Sequence, residues 1–254
     1  MIEVIDFHKA YRDLVAVEGL SFKVQPGEIM GMVGPNGAGK TTTLRSLCGI
    51  IPPTSGQLFA GGFDVVEQPV EAKRILAYIP DDPKLFDSLT VWEHLEFVAA
   101  AYQLKDFAGY GEQILKQFEL WEKRSTFANE LSRGMRQKVA ISCAYLHDPT
   151  VLVLDEPLTG LDPRGIRQMK DSIIQRAQNG AAIVISSHLL NLVEDICTHL
   201  LMMNRVSLLF GSIDEVMEKF SNLDRRSSLE EIFFQVTGAD ATNNAQPTET
   251  EDAK

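Results

Sequence analysis

The 254-residue chain is short of several things, and each shortage removes a class of protein. It has no uninterrupted apolar run near the ~18 residues that a bilayer-spanning helix needs. Its first stretch, "MIEVIDFHKAY", lacks the charged-then-apolar pattern of a secretory leader. Cys48, Cys143 and Cys197 are odd in number, far apart and form no C-x-x-C pair. They suit neither a disulfide framework nor a zinc site, and read as reduced core thiols of a cytosolic protein. Positive charge is scarce: Lys and Arg number 24 against 35 Asp and Glu, a net charge of −11. Without a domain-wide basic footprint, nucleic acid is not expected as the main partner. Apolar residues are plentiful: at 44%, they can build a sizeable core for one large α/β domain or two small ones.

One short stretch carries a definite chemistry. In "MVGPNGAGKTTT" (32–43), Gly34, Gly39, Lys40 and Thr41 satisfy the phosphate-loop pattern G-x-x-x-x-G-K-[ST]. Glycines let the backbone turn its N–H groups around phosphates. Lys40 is placed to reach the β- and γ-phosphates, and the Thr41 hydroxyl to ligate Mg²⁺. "EIMGMV" (28–33) before it reads as a buried strand, and "KTTTLRSLCG" after it as a helix whose N-terminus favours anions. The chain is expected to bind a nucleotide.

Around this motif the pattern predicts a mixed fold. Residues 2–30 alternate in short runs broken by "YRDL" and "QPGE", an antiparallel β region leading into the phosphate-loop strand. "SGQLFAGGFDV" (55–65) reads as a hairpin turning at Gly61-Gly62, and "RILAYIP" (74–80) as a core strand. Val91, Leu95, Val98 and Tyr102 then recur at helical spacing, as do Ile114, Leu115 and Phe118, so residues 88–135 are expected to form a helical subdomain. "VLVLDEP" and "AAIVISS" are apolar runs of strand length, separated by a helix with Ile166, Met169 and Ile173 on one face and Gly180 as its stop. The expected class is α/β, a phosphate-loop NTPase core with a mostly parallel sheet. "SIDE" (212–215) and "SLEE" (228–231) fit capping boxes that open C-terminal helices. Residues 1–238 are read as the folded domain and 239–254, polar and acidic, as a disordered tail.

Two further stretches bear on the chemistry. "VLVLDEP" ends a strand with two carboxylates; behind a phosphate loop, Asp155 is placed to hold Mg²⁺ and Glu156 to polarise an attacking water. In "LSRGMRQKVAISCAYLHDP" (131–149), Ser132 can cap the next helix, and Val139, Cys143 and Leu146 give that helix an apolar face. Gly134 leaves N–H groups open at its start, an anion site in itself, although an ordinary capped helix with a basic solvated side reads equally well.

Taken in order, "GPNGAGKTT", "LSRGM", "VLVLDEP", "LTGLDP" and "ISSH" resemble the nucleotide-binding subunits of ABC transporters. The likeness spans residues 34–188, and "AYRDLVAVEGLSFKVQPGE" extends it towards the start. The resemblance implies that Tyr11 stacks on adenine, although an aromatic before a turn also reads as packing. It implies that Gly34, Gly37, Gly39, Lys40, Thr41 and Thr42 hold phosphates and Mg²⁺, with Pro35, Asn36 and Ala38 completing the loop. Ser132 and Gly134, flanked by Arg133 and Met135, would contact ATP held by the opposite subunit of a head-to-tail dimer, homo- or heteromeric. Asp162 would communicate across that dimer. His188 would touch the γ-phosphate, where the bare sequence shows only a polar residue ending a strand. Two motifs depart from the family's usual pattern. Arg133 and Met135 replace Gly and Gln of L-S-G-G-Q, and Asp81 of "YIPDD" replaces a glutamine, offering Mg²⁺ a carboxylate on a shorter arm.

Asp81, "GIIPPTSGQ" and "SLEEIFFQVTG" look like the bacterial export branch. The resemblance thus implies an ATPase using ATP and Mg²⁺, cytoplasmic and peripheral on the inner face of the membrane, powering a separately encoded transmembrane subunit. An importer subunit is the alternative. A soluble ABC ATPase acting on DNA or ribosomes fits less well, since such proteins carry a coiled-coil insertion or two cassettes and only about ninety residues separate Lys40 from Leu131. Removing residues 239–254 should leave melting temperature and ATP hydrolysis nearly unchanged; a fall of several degrees on thermal unfolding would show that the segment docks.

Overall fold

The computed structural model describes residues 1–220 and 228–237; the expected tail at 239–254 lies outside them. The chain opens with a β-hairpin, β1 (Ile2–Tyr11) and β2 (Leu14–Val24), then β3 (Ile29–Val33) and α1 (Lys40–Leu47). β4 (Ser55–Ala60) and β5 (Phe63–Asp64) pair across the Gly61-Gly62 turn, where both glycines have positive φ. Next come α2 (Pro69–Ile75) and β6 (Leu76–Ile79). The expected strand at 74–80 is thus shorter at its start. Arg74 and Ile75 end a seven-residue helix opened by Pro69, too short to show a helical period in sequence.

Between β6 and the next strand all regular structure is helical: α3 (Val91–Ala101), α4 (Ala108–Gln117), two 3-10 turns and α5 (Arg133–Tyr145). Thr90 caps α3 in a reciprocal box with Glu93, and Ser132 caps α5 by accepting from the Met135 N–H. α5 runs past residue 135 because its buried stripe, Val139, Ile141 and Tyr145, continues into the core. Then come β7 (Val151–Asp155), α6 (Pro163–Gln178), β8 (Ala182–Ser186), α7 (Leu190–Ile196), β9 (His199–Asn204), β10 (Val206–Ser212), α8 (Ile213–Phe220) and α9 (Leu229–Thr237). Ser212 with Glu215, and Ser228 with Glu231, make the two expected capping boxes. The β9–β10 hairpin has no signal in the sequence, because it turns on Arg205 at φ 64° instead of a glycine.

Among the described residues the strands form two sheets. One is antiparallel, in the order β2-β1-β4-β5; the other runs β10-β9-β3-β8-β7-β6, parallel except for β10. β3, β7 and β8 are buried along their whole length, as central parallel strands covered on both faces must be. One face packs with α1 against the antiparallel sheet, and the other against α3–α6. α8 and α9 cover the β9 end, where Val216, Leu229 and Ile232 are buried against Leu200 and Met202. No helix among the described residues is long and apolar enough to cross a membrane.

This order brings the C-terminal ends of β3, β7 and β8 side by side, and the candidate residues lie just beyond those ends. Open α/β sheets bind ligands at that edge.

Candidate functional site

The phosphate loop leaves β3 at Gly34 and returns as α1, and its shape is enforced by backbone contacts. A Cβ at residue 34 would lie 2.2 Å from the Met203 carbonyl oxygen of β9. Gly39 sits at φ 97°, and a Cβ there would come within 2.6 Å of the Ala16 carbonyl oxygen. Gly37 also has positive φ, at 80°. No side chain caps α1, so its first-turn N–H groups are free for an anion. The Lys40 ammonium donates to the Gly34 and Pro35 carbonyls at 2.6 and 3.3 Å, and burial lowers its pKa.

Asp155, only 3% exposed, ends β7 beneath this loop. Three hydroxyls donate to it: Thr41 to Oδ1 at 3.2 Å, Ser186 to Oδ1 at 2.6 Å and Tyr78 to Oδ2 at 3.3 Å. Burial, with Asp155 beside it, pushes the Tyr78 phenol up to about 12, so it remains a donor. Glu156 adopts φ 48°, a left-handed conformation that costs a non-glycine residue about 1–3 kcal/mol. Its N–H reaches Ser186, and its Oε2 lies 2.8 Å from His188 Nδ1 and accepts from the His188 N–H. Burial raises the Glu156 pKa, with His188 opposing it.

These groups share one open cleft of about 480 Å³. Tyr11, Asn36 through Thr42, Asp81, Asp155 and Glu156 line it, and Gly34, Pro35 and His188 adjoin it through Lys40 and Glu156. Tyr11 is 42% exposed at the rim, with the Lys9 ammonium 4.8 Å from its ring centroid. Ser132, Arg133, Gly134, Met135 and Asp162 are not among the cleft's walls. They form a second group around the "LTGLD" loop: a Cβ on Gly134 would lie 2.6 Å from the Gly160 carbonyl oxygen, and Arg133's stem would crowd one on Gly160 at 3.2 Å. Asp162 caps α6 by accepting from the Gly165 N–H at 2.9 Å. The two departures from the usual pattern meet here, Arg133 Nη2 standing 3.7 Å from Asp81 Oδ1.

Sequence reasoning missed Tyr78, Ser186 and Arg205. Arg205 pins the loop by its backbone, donating to the Ala38 carbonyl and accepting from the Glu18 N–H. A hydroxyl ending the apolar run "AAIVIS" was the available signal for Ser186.

The family model for ABC transporters matches residues 17–159. The chain belongs to that family. The ABC-type transporter ATP-binding protein EcsA of Bacillus subtilis (strain 168) is 32% identical over 244 residues, 95% of this chain and 98% of that protein. The SkfA peptide export ATP-binding protein SkfE of the same organism is 36% identical over 195 residues, 76% of this chain and 81% of that one. A solved structure of the ATP-binding subunit of an ABC transporter superposes with a TM-score of 0.88 at 32% identity, covering 93% of this chain and 99% of that chain. The protein is an ABC transporter ATP-binding subunit.

Gly39→Ala meets both a forbidden φ and a backbone oxygen, so the loop must deform. It should weaken ATP binding by more than ~10-fold, about 1.4 kcal/mol, in a fluorescent-nucleotide titration. Affinity within twofold of the parent would mean that the loop shape is not what binds phosphate.

Proposed function

We propose that the chain hydrolyses ATP to drive export through a separately encoded membrane protein, working as one of a pair of cytoplasmic subunits on the inner face of the membrane. The observation that carries the hydrolytic part is the placing of Glu156, held by His188 and Ser186, at the wall of the phosphate-loop cleft. The SkfE relative's role in peptide export, together with the sequence features of the export branch, supports the direction.

Tyr11 stacks on the adenine, its ring backed by the Lys9 cation. The α1 N–H groups and Lys40 take the phosphates, the ammonium exchanging the Gly34 and Pro35 carbonyls for phosphate oxygens. Thr41, Asp155 and Asp81 are the residues for Mg²⁺. Their donors are hydroxyl and carboxylate oxygens, and the described residues contain no cage of three or more His, Cys, Asp or Glu. That is the usual Mg²⁺ arrangement of one or two carboxylates completed by substrate phosphates. When bound, the metal neutralises charge on the β- and γ-oxygens.

Glu156 accepts a proton from the attacking water, its raised pKa making it the stronger base. His188 holds that carboxylate and meets the γ-phosphate. Ser132, Arg133, Gly134 and Met135 face the nucleotide of the opposite subunit, and Asp162 carries the state of one site to the other. Glu156→Gln should bind MgATP but hydrolyse it about 10²-fold more slowly or worse, and should elute as a dimer with ATP in size-exclusion chromatography. Turnover within a factor of two of the parent would remove Glu156 from the base role.

For the membrane partner the candidate surface is a groove of about 290 Å³ between the loop after β6, α3 and α5. Of the apolar residues Leu85, Phe86, Leu89 and Trp92 in that loop and the start of α3, Leu85 and Phe86 line the groove and the other two do not; Trp92 packs against Phe107 and Trp121. Phe86 and Phe97, 53% and 52% exposed, supply an apolar anchor of the kind a docked helix uses. Phe86→Asp should leave soluble ATPase activity intact and weaken co-purification with an integral membrane protein. Undiminished co-purification would place the contact elsewhere, and an unfolded variant would make Phe86 a packing residue.

A further inference from the structure

Ser186 is the only polar residue of β8 and is completely buried. A hydroxyl in such a place is costly unless its hydrogen bonds are made. The register sets Ser186 beside Asp155 of β7 on one side and Met32 of β3 on the other, so its neighbours are the last residue of β7 and the strand that feeds the phosphate loop. Its one proton is committed, because Oγ donates to Asp155 Oδ1 at 2.6 Å, the shortest of that carboxylate's three contacts. The same oxygen accepts the Glu156 N–H at 3.2 Å, shared with the Ser186 carbonyl at 3.2 Å. One hydroxyl therefore touches the two consecutive acids in different ways, orienting the side chain of the first and the backbone of the second.

The second contact matters because Glu156 is the left-handed residue at the strand end. Strained backbone persists where its surroundings over-determine it. From above, the Glu156 carboxylate is held by His188, whose side chain is 64% exposed; from below, its N–H is held by a residue that is completely buried.

We propose that Ser186 is a positioning residue for hydrolysis, its hydroxyl fixing at once the orientation of the metal-holding Asp155 carboxylate and the backbone twist that aims Glu156 into the cleft. This rests on the roles given to Asp155 and Glu156 above. Ser186 is not among the residues that line the cleft. It acts as the outer partner that keeps a metal ligand in line, and loss of such a partner typically costs about 10–100-fold in metal affinity or activity.

The test uses the purified chain and the variants Ser186→Ala and Ser186→Thr, with Mn²⁺ as a spectroscopic stand-in for Mg²⁺. Ser186→Ala should stay folded by thermal unfolding and bind ATP in EDTA within about twofold of the parent, while kcat falls about tenfold. Electron paramagnetic resonance should show Mn²⁺ binding to the ADP complex weakened by a similar factor. Ser186→Thr, which returns the hydroxyl, should restore both. Should the extra methyl unfold the protein, Ser186→Cys, with its weaker thiol donor, should fall between the parent and Ser186→Ala. If Ser186→Ala keeps both kcat and Mn²⁺ affinity within twofold, or loses metal-free ATP affinity to the same extent, the proposal is overturned. Glu156→Gln run alongside separates the two levels. Loss of hydrolysis there with a normal Ser186→Ala sinks only this inference, whereas full hydrolysis by Glu156→Gln sinks the underlying reading and this inference with it.

Discussion

A carboxylate at the end of a buried strand is the constraint around which the cleft is organised. Asp155 is nearly inaccessible, and an acid in that position is tolerable only when donors surround it. The donors are three hydroxyls from three different elements: Thr41 from α1, Tyr78 from β6 and Ser186 from β8. Satisfying one side chain thus fixes the helix after the phosphate loop and two strand ends relative to β7. The Tyr78 contact reaches further, because Tyr78 also lines the groove bounded by Leu85, Phe86 and Phe97. A single side chain joins that groove to the acid that lines the phosphate-loop cleft.

The phosphate loop itself is confined by main chain more than by side chains. β9 passes so close that residue 34 can have no Cβ, and the β2 backbone does the same at residue 39. The β9–β10 turn closes the ring, with Arg205 bonded by its backbone to Ala38 on one side and Glu18 on the other. Such contacts do not depend on the identity of the surrounding side chains. They give a loop whose shape is set before any ligand is present, which lowers the ordering cost of binding.

Much of this was legible in the sequence, and the failures have a common cause. The phosphate loop, the strands at "VLVLD" and "AIVIS", the helical stretch and both C-terminal capping boxes are local patterns, carried by residues a few positions apart. Tyr78 and Ser186 act through neighbours in the sheet, Arg205 through the phosphate loop and β2, and the sheet order β9-β3-β8-β7-β6 cannot be read from hydrophobic period. α2 was too short to have a period, and the β9–β10 turn used an arginine where a glycine would have announced it. Arg133 and Asp81 are the most instructive pair. Read separately, each is an oddity in its own motif; in the structure, the two opposite charges stand 3.7 Å apart.

The placing of β3 has a consequence for how the protein comes into being. Its two partners in the sheet are β8 and β9, and Met32 lies opposite Ser186 and Leu201. About 170 residues must leave the ribosome after Met32 before both edges of that strand can be paired. At translation rates of roughly 5–20 residues per second, the wait is on the order of 10–30 s. Through that interval a stretch as apolar as "IMGMV" has no sheet to enter, and the phosphate loop has no β9 to shape it. The phosphate-loop cleft therefore cannot take its finished shape until β9 is made, whereas the β1–β2 hairpin, which pairs neighbouring strands, can form long before.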